Sequence, residues 1–287
     1  MSRSEIRAGA GARNAGPILK WAGGKGALLA QYAPYFPPSG SYARYFEPFI
    51  GSAAVFFHLQ PPRSFLFDRN PHLIEVYSVV RDSVEELIAA LREHHNDRDH
   101  FYQVRAQNPA DLTPVQRAAR LIFLNRTCYN GLYRVNRRGQ FNVPFGRHAN
   151  PTICDEPGLR AASAALQRAH LEVADFEIVL RMAEPGDLVY FDPPYAPLSP
   201  TSNFTSYTAD GFTNADQARL ADVFRALDRR GCLLMLSNSS APLIRDLYQG
   251  FHLNEISARR AINSKPDRRG IITELLITNF PRADRGA

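Results

Sequence analysis

Four consecutive residues, Asp192-Pro193-Pro194-Tyr195, follow an apolar run and form the most specific motif of the sequence. The two prolines fix their φ angles and make this turn rigid. A rigid turn holds the Asp192 carboxylate and the Pro193 carbonyl as adjacent acceptors, and an exocyclic NH₂ group offers two donors to such a pair. Tyr195 supplies a flat ring on which a base can stack. The motif predicts a clamp for an aromatic amine, whereas a Pro-Pro pair without this context usually marks only a turn.

A second motif, KWAGGKG (20–26), contains the only tryptophan of the chain, Trp21. Its spacing does not match the GxxxxGK[ST] pattern of a phosphate loop. The glycines allow the backbone to approach a ligand closely, and Lys25 adds an ammonium group, which suits a carboxylate or a phosphate. A plain glycine-rich turn is the alternative interpretation.

Two acidic residues complete the set of candidate ligand-binding positions. Glu47 begins EPFIGS (47–52), which reads as a strand, a tight turn at Gly51 and the start of a helix. This pattern resembles a nucleoside-cofactor loop more than the GxGxxG fingerprint, which is absent. Asp68 ends another apolar run, where acidic residues accept hydrogen bonds from ribose hydroxyls.

The elements that must position these residues are short apolar strands alternating with amphipathic helices. This alternation predicts a mainly parallel sheet covered on both faces. In such sheets ligands bind beyond the carboxyl ends of the strands, where Glu47, Asp68, Asp192 and Asn238 are predicted to lie. The predicted strands are 42–51, 64–70, 187–195, 231–238 and 274–280, and the predicted helices are 84–94, 117–124 and 216–227.

The middle of the chain, residues 71–170, is mostly helical and polar in pattern. Within 128–147 the β-prone runs LYRVN and QFNVP are joined by RRG, which predicts a hairpin. We therefore expect 71–170 to be a recognition domain inserted into a catalytic domain of residues 17–70 and 171–280. Residues 1–16 are expected to be a disordered tail, and 281–287 a short polar tail.

Composition narrows the class of protein further. The chain has 287 residues, 45% of them hydrophobic, and a formal net charge of +6. No apolar run approaches the roughly 18 residues of a membrane helix, and the N-terminus lacks the apolar region of a secretory signal. The three cysteines, Cys128, Cys154 and Cys232, lack CxxC spacing, which favours a reducing compartment and argues against structural zinc. We expect a cytoplasmic protein without a membrane partner.

Charge is distributed unevenly along the chain. Residues 112–154 contain no Asp or Glu, and their cations are all arginine: Arg117, Arg120, Arg126, Arg134, Arg137, Arg138 and Arg147. Such a stretch indicates either a solvated face or a surface that contacts phosphates. Arginine mildly favours forked recognition of phosphate or guanine.

With these motifs in place, the sequence resembles the Dam-type DNA adenine N6-methyltransferases of the D12 class. The resemblance runs in order from about residue 17 to 280. It is carried by LKWAGGK (19–25), FEPFIGSAAVFF (46–57), FDRN (67–70), LNRTCYNGLYRVNRRGQFNVPFGR (124–147), VYFDPPYAPLS (189–199), FTNADQARLADV (212–223) and LSN (236–238).

The resemblance implies an α/β fold of class I S-adenosylmethionine-dependent methyltransferases. That fold is Rossmann-like, with a mostly parallel seven-stranded sheet and an inserted, mainly helical target-recognition domain carrying the hairpin. It implies S-adenosylmethionine as cofactor, S-adenosylhomocysteine as product, and no metal. The implied cofactor-binding residues are Trp21, Lys25, Glu47, Gly51, Asp68, Phe176 (stacked on the cofactor adenine) and Asp192.

The resemblance also implies chemistry on an adenine flipped out of double-stranded DNA, because its N6 is unreachable in the stack. Asp192 and the Pro193 carbonyl would hold the amino group while Tyr195 stacks on the ring. The target is expected to be 5′-GATC-3′. The implied roles in the DNA complex are Arg134 and Lys20 on the guanines, Pro144 on a thymine methyl, Tyr129 as a wedge, Asn130 at the opened pair, and Arg137 and Arg138 on phosphates.

Several alternatives stay open at this point. Enzymes that methylate cytosine N4 or protein glutamine tend towards SPPY or NPPY, so Asp192 argues against both, and the arginine-rich hairpin favours duplex DNA over RNA. A DNA-binding regulator with an inactive methyltransferase fold, or an ordinary cofactor-binding α/β enzyme with a basic patch, would fit parts of the pattern. A monomer is expected, and a cognate restriction endonuclease is a further candidate partner.

Overall fold

A computed structural model describes residues 14–198, 211–259 and 271–282. Seven strands in these residues form one sheet in the order β3-β2-β1-β4-β5-β7-β6. They are β1 (Tyr45–Glu47), β2 (Ser64–Asp68), β3 (Ala169–Val173), β4 (Leu188–Phe191), β5 (Leu233–Ser239), β6 (His252–Arg259) and β7 (Ile271–Thr278). The strands from β3 to β5 pair in parallel, whereas β7 is antiparallel to both β5 and β6. The predicted fold class is confirmed.

Helices precede the first strand and connect most of the strands along the chain. Five of them lie between β2 and β3: α3 (Pro71–Asp82), α4 (Val84–Arg92), α5 (Arg98–Ala106), α6 (Pro114–Thr127) and α7 (Glu156–Leu166). The others are α1 (Leu29–Tyr32), α2 (Ala54–Leu59), α8 (Ile178–Met182), α9 (Asn214–Arg230) and α10 (Pro242–Leu247). The three predicted helices are confirmed as α4, α6 and α9. Capping boxes at Thr113 and Thr213 start α6 and α9 earlier than the apolar pattern indicated.

Side chains alternate between the two faces of the sheet and build a hydrophobic cluster on each. Tyr45, Leu66 and Tyr190 belong to the larger cluster, which also takes in side chains of α3, α4, α6 and α7. Their immediate neighbours Phe46 and Phe67 belong to the second cluster, which packs against α9. These side chains are at most 1% exposed. The sheet is therefore covered on both faces, as predicted from its continuous apolar runs.

The inserted region contributes to two cores. Helix α3 packs in the same cluster as the sheet, whereas Phe101, Phe123 and Val143 form a separate small cluster under residues 128–147. The small cluster shows that one part of the inserted region has a core of its own. The domain limits at residues 70 and 170 stay a prediction.

The predicted hairpin is less regular than its sequence suggests. Its two arms meet in isolated antiparallel bridges, Val135 with Phe141 and Cys128 with Phe145, rather than in a continuous ladder. The predicted chain reversal is present, with backbone hydrogen bonds between its arms at Arg134–Asn142 and Asn136–Gln140, but the arms do not form continuous strands. The Asn136 side-chain oxygen accepts the N–H groups of Arg138 and Gln140, which closes the reversal as a turn.

Two strands, β3 and β6, were not predicted. Both lie at the edges of the sheet, and the polar residues of β3, such as His170 and Glu172, interrupt the apolar pattern. Of the predicted N-terminal tail, residues 1–13 lie outside the described residues. Ala15 packs against the larger cluster, so the expectation of disorder is not met there. No helix of the described residues is long and apolar enough to span a membrane.

Candidate active site and DNA-contacting surface

One edge of the sheet gathers acidic side chains from strands far apart in the sequence. The parallel strands β1, β2 and β4 end there at Glu47, Asp68 and just before Asp192. Strand β7 runs the other way, so its first half lies at the same edge, with Glu274 opposite Ser239 of β5. The sequence could not predict the place of Glu274, because it does not reveal that the last strand is antiparallel.

Asp192 is held by donors on two sides. The Lys25 ammonium lies 2.6 Å from its Oδ1, and the hydroxyl of Ser237 donates to the same oxygen at 2.7 Å. Since Ser237 uses its proton on Asp192, the buried Tyr190 hydroxyl donates to Ser237 at 3.0 Å. This chain of polar groups orients the carboxylate at the end of β4, in the rigid turn that the sequence predicted.

Tyr195 is fixed from both its hydroxyl and its ring. The hydroxyl donates to Glu274 at 2.8 Å, and the Lys25 ammonium lies 4.8 Å from the ring centroid. Burial, and secondarily Asp192, raise the pKa of Tyr195 well above its ordinary value, so the hydroxyl stays a donor. Burial also raises the pKa of Glu274. The ring is thereby presented in one orientation beside Asp192.

The turn itself is braced by two buried amide side chains. Gln217 of α9 donates to the Pro194 carbonyl at 2.9 Å, and Asn238 donates to Gln217 at 3.0 Å. The Asn238 oxygen accepts the Ala196 N–H at 3.0 Å. Gln217 and Asn238 are at most 1% exposed. The rigidity of the turn therefore comes from neighbouring elements as well as from its prolines.

Glu47 and Asp68 are carboxylates in an environment that disfavours their charge. Glu47 is 2% exposed and accepts a hydrogen bond from Tyr45 at 2.8 Å; burial raises its pKa to about 8. Asp68 accepts the N–H groups of Asn70 at 2.9 Å and Gly51 at 3.4 Å, and burial raises its pKa to about 6. A bound cation beside Glu47 and hydroxyl donors beside Asp68 would stabilise the charged forms. The two acceptors fit the ammonium and ribose groups of S-adenosylmethionine.

The glycine-rich segment lies against this acidic edge. Gly51 has a φ of 45°, and a Cβ there would come within 3.0 Å of the Trp21 ring, so a larger residue would displace the indole. Trp21 also stacks on Tyr133 with ring centroids 5.3 Å apart. The Lys25 ammonium donates to the Gly23 carbonyl at 2.5 Å, which turns it towards Asp192. The structure thus brings Trp21, Lys25 and Gly51 together.

The Phe176 ring is buried by other side chains, so it has no open face on which a cofactor adenine could stack. Its side chain is 1% exposed, stacks on Phe49 with centroids 5.5 Å apart, and has the Arg219 guanidinium 4.3 Å above its ring. The predicted role of Phe176 stays a prediction, and it requires one of these contacts to open.

Most of the predicted base-contacting residues lie at the base of the hairpin region, whereas Arg134 lies further along it, next to the turn at 136–140. Tyr129 and Asn130 form a turn whose first N–H bonds the Pro144 carbonyl at 2.9 Å. The Tyr129 ring is 54% exposed, so it does not pack into the hairpin. Arg134 donates to the side chain of Asn142 at 2.7 Å, which lays the guanidinium across the hairpin. Lys20 is exposed next to the same turn.

The acid-free stretch of the sequence divides into inward and outward arginines. Arg117 forms a forked pair with Glu75, and Arg120, 9% exposed, donates to the Val104 carbonyl. Arg126 donates to the Ile18 carbonyl. The expectation of one surface facing solvent or phosphate is wrong for Arg117 and Arg120, because acceptors of the fold itself engage them. The exposed arginines are Arg134, Arg137, Arg138 and Arg147.

The site contains no group of three or more His, Cys, Asp or Glu residues arranged to hold a metal ion within the part of the chain that the structure describes. The chemistry of the edge rests on carboxylates, hydroxyls and one ammonium. These are groups that position and polarise a substrate by hydrogen bonds.

Comparison with known proteins agrees with this geometry. The family model for D12 class N6 adenine-specific DNA methyltransferases matches residues 21–262. The type II methyltransferase M1.LlaDCHI of Lactococcus lactis subsp. cremoris is 43% identical over 93% of this chain and 96% of its own length. M.MjaIII of Methanocaldococcus jannaschii is 44% identical over 92% and 99%, respectively. The DNA adenine methylase of Escherichia coli (strain K12) is 37% identical over 92% and 95%.

Proposed function

The chain belongs to the family of D12 class N6 adenine-specific DNA methyltransferases, and on that premise we propose that it methylates adenine N6 in duplex 5′-GATC-3′. The observation that carries the chemical part of this proposal is the placement of Asp192. Its carboxylate is oriented by Lys25 and Ser237, and the Tyr195 ring is fixed beside it. An amino group and an aromatic ring are what such a pair of side chains can hold at once.

In the proposed mechanism the adenine leaves the helix and stacks on Tyr195. Asp192 and the Pro193 carbonyl accept the two N6–H groups, which localises the nitrogen lone pair for attack. When N6 has gained the methyl group and the sulfonium bond to it has broken, N6 releases one proton, for which the Asp192 carboxylate is the adjacent acceptor. Bound S-adenosylmethionine supplies an electrophilic methyl group on a good leaving group. The residues of this chain therefore act mainly by positioning and by electrostatic stabilisation.

Three side chains at or beside the acidic edge are proposed to hold the cofactor. Glu47 faces its ammonium, Asp68 accepts from its ribose hydroxyls, and Trp21 covers it from the glycine-rich segment. The acidity of this edge supports the assignment, because the cofactor is a cation at its sulfonium and its ammonium. The family implies use of S-adenosylmethionine, and the individual contacts are the proposal.

We propose that residues of the hairpin region, together with Lys20, recognise the bases of the target sequence. Arg134 and Lys20 would contact the guanines, and Pro144 the thymine methyl. The exposed Tyr129 ring would enter the stack while Asn130 meets the opened pair. Arg137 and Arg138 would contact phosphates. Exposure of these side chains, and the proximity of Tyr129 to Pro144, support this reading.

The decisive test is methyl transfer by the purified protein from labelled S-adenosylmethionine to duplex DNA. We expect N6-methyladenine in the hydrolysed product and modified adenines concentrated at GATC when cells expressing the protein are sequenced for methylation. Label recovered as N4-methylcytosine would refute the proposed acceptor. Label in adenines of another motif would refute the target but leave the adenine chemistry intact.

The setting of the enzyme is a separate proposal. We propose a monomer that acts in the cytoplasm on nucleoid DNA. The relatives include proteins named type II methyltransferases and proteins named DNA adenine methylases, and we keep both a partner endonuclease and a solitary role as candidates for this chain. Light scattering of the free and DNA-bound protein tests the monomer, and the genes beside the coding sequence identify an endonuclease.

A further inference from the structure

One buried side chain joins two segments that are proposed to read the DNA. Asn125 lies on α6 and is 0% exposed. Its side-chain oxygen accepts the Lys20 N–H at 2.8 Å. Its amide group donates to the Lys20 carbonyl at 2.8 Å and to the Gly131 carbonyl at 2.9 Å. The Asn125 amide therefore forms hydrogen bonds with both the N–H and the carbonyl of Lys20 and with the Gly131 carbonyl in the turn that follows Tyr129.

The two gripped segments also touch each other directly. Gly131 has a φ of 63°, and a Cβ built on it would overlap the Lys20 side chain. The turn of Tyr129 and Asn130 thus packs against the lysine with no room for a larger residue at Gly131. Lys20 and this turn come from distant parts of the sequence, and Asn125 and this contact join them directly, beside the stacking of Trp21 on Tyr133.

We propose that Asn125 is a positioning residue for sequence recognition, holding Lys20 and the turn of residues 129–131 as one reading unit. The inference rests on the proposed function, in which these segments contact the target site. Asparagine suits the role because one planar amide provides an acceptor and two donors to backbone groups. Alanine would leave the three backbone partners without this amide in a buried place, and they would separate to regain hydrogen bonds.

A purely structural role predicts a different outcome. Loss of packing would lower the melting temperature and slow methylation at every site alike. A positioning role changes the ratio of rates between GATC and sites with one base replaced, because the contacts that discriminate are displaced. The ratio is therefore the diagnostic quantity, and stability alone is not.

The experiment uses the full chain and duplexes that carry GATC or a single substitution at either guanine or at the thymine. For Asn125→Ala, we expect discrimination measured by kcat/KM at the guanine read by Lys20 to fall about tenfold, which is the scale of one good base contact. Asn279→Ala is a matched control. That side chain likewise accepts one N–H, from Leu234, and donates twice, to the Cys232 carbonyl and the Asp228 carboxylate, near the start of β5 and away from the site. The control should lose stability and keep its discrimination.

Two further variants keep the test decisive if Asn125→Ala folds poorly. Gly131→Ala displaces Lys20 without changing Asn125 and should relax discrimination in the same direction. Lys20→Ala combined with Asn125→Ala should discriminate at that guanine no worse than Lys20→Ala alone, because Asn125 acts through Lys20.

The outcomes separate this inference from the function on which it rests. A wild type without preference for GATC over the substituted sites refutes the proposed target. A wild type that discriminates, with Asn125→Ala and Gly131→Ala keeping its ratio while their melting temperatures fall, overturns the positioning role.

Discussion

Removing one hydroxyl behind Asp192 gives the sharpest test of how the site works. Ser237→Ala deletes the donor that lies 2.7 Å from the Asp192 carboxylate and leaves the salt bridge to Lys25 in place. It also deletes the acceptor of the buried Tyr190 hydroxyl. Of the two side chains that donate to the carboxylate, only Lys25 then remains, and the carboxylate can rotate away from the position it must hold.

The expected size of the effect follows from this hydrogen bond. A bond to a charged group contributes about 1.5–3 kcal/mol. If all of it serves to orient the carboxylate in the transition state, kcat falls by about 10- to 150-fold, since each 1.4 kcal/mol is a factor of ten. Leaving the Tyr190 hydroxyl without its acceptor should cost about 1–3 kcal/mol of folding stability.

Single-turnover methylation of a GATC duplex, cofactor calorimetry and thermal melting together measure these effects. Ser163→Ala is the control, because that buried hydroxyl donates to the Arg81 carbonyl away from the site and should affect stability alone. Cofactor affinity should change little in Ser237→Ala. A rate for this variant within about twofold of wild type, where a tenfold or larger loss is expected, would refute the idea that Ser237 orients Asp192.

Three other predictions follow from the same geometry. Asp192→Ala should abolish methyl transfer and leave a folded protein by circular dichroism; more than a few per cent of wild-type turnover would contradict the catalytic assignment. Cofactor affinity measured by calorimetry should fall in two steps as the pH is lowered, first near 8 as Glu47 is protonated and again near 6 as Asp68 is protonated, and Asp68→Asn should bind weakly and keep only the first step. DNA binding should weaken steeply with salt, and Arg137→Ala should flatten the slope by about one unit without changing sequence preference; an unchanged slope would place Arg137 away from the phosphates.

Residue type and order along the chain were enough to predict five of the seven strands, with β3 and β6 missed, and three of the acidic residues at the edge of the sheet. Glu47, Asp68 and Asp192 each end an apolar run, and parallel strands bring such ends together. The rule fails for Glu274, because its strand is antiparallel and the residue lies in its first half. The direction of the last strand depends on how it pairs with distant strands. A local sequence pattern does not indicate that direction.

The hairpin region was harder to predict for a different reason. Val135 and Phe141 have the β propensity of a strand pair and do form a bridge. Backbone hydrogen bonds flank this bridge, and on its turn side the Asn136 side chain takes the N–H groups of Arg138 and Gln140, so regular pairing ends there. Asn125 carried no signal as a functional residue, since its partners lie at Lys20 and Gly131 and only the folded chain joins them.

Acidic and basic side chains lie in separate parts of the fold, which explains why the net charge alone indicated little about function. The net charge of +6 sums all charged residues of the chain and does not show that the acids and the arginines discussed here lie in separate places. At the edge of the sheet Glu47, Asp68, Asp192 and Glu274 surround Lys25, and burial raises the pKa of three of these acids, which is the setting that a cationic ligand relieves. The exposed arginines lie on the inserted region, where a polyanion can reach them. In the proposed function the cationic cofactor is therefore attracted to the acidic edge and the DNA to these arginines, and the target base has to reach the motif at Asp192, which lies at the acidic edge.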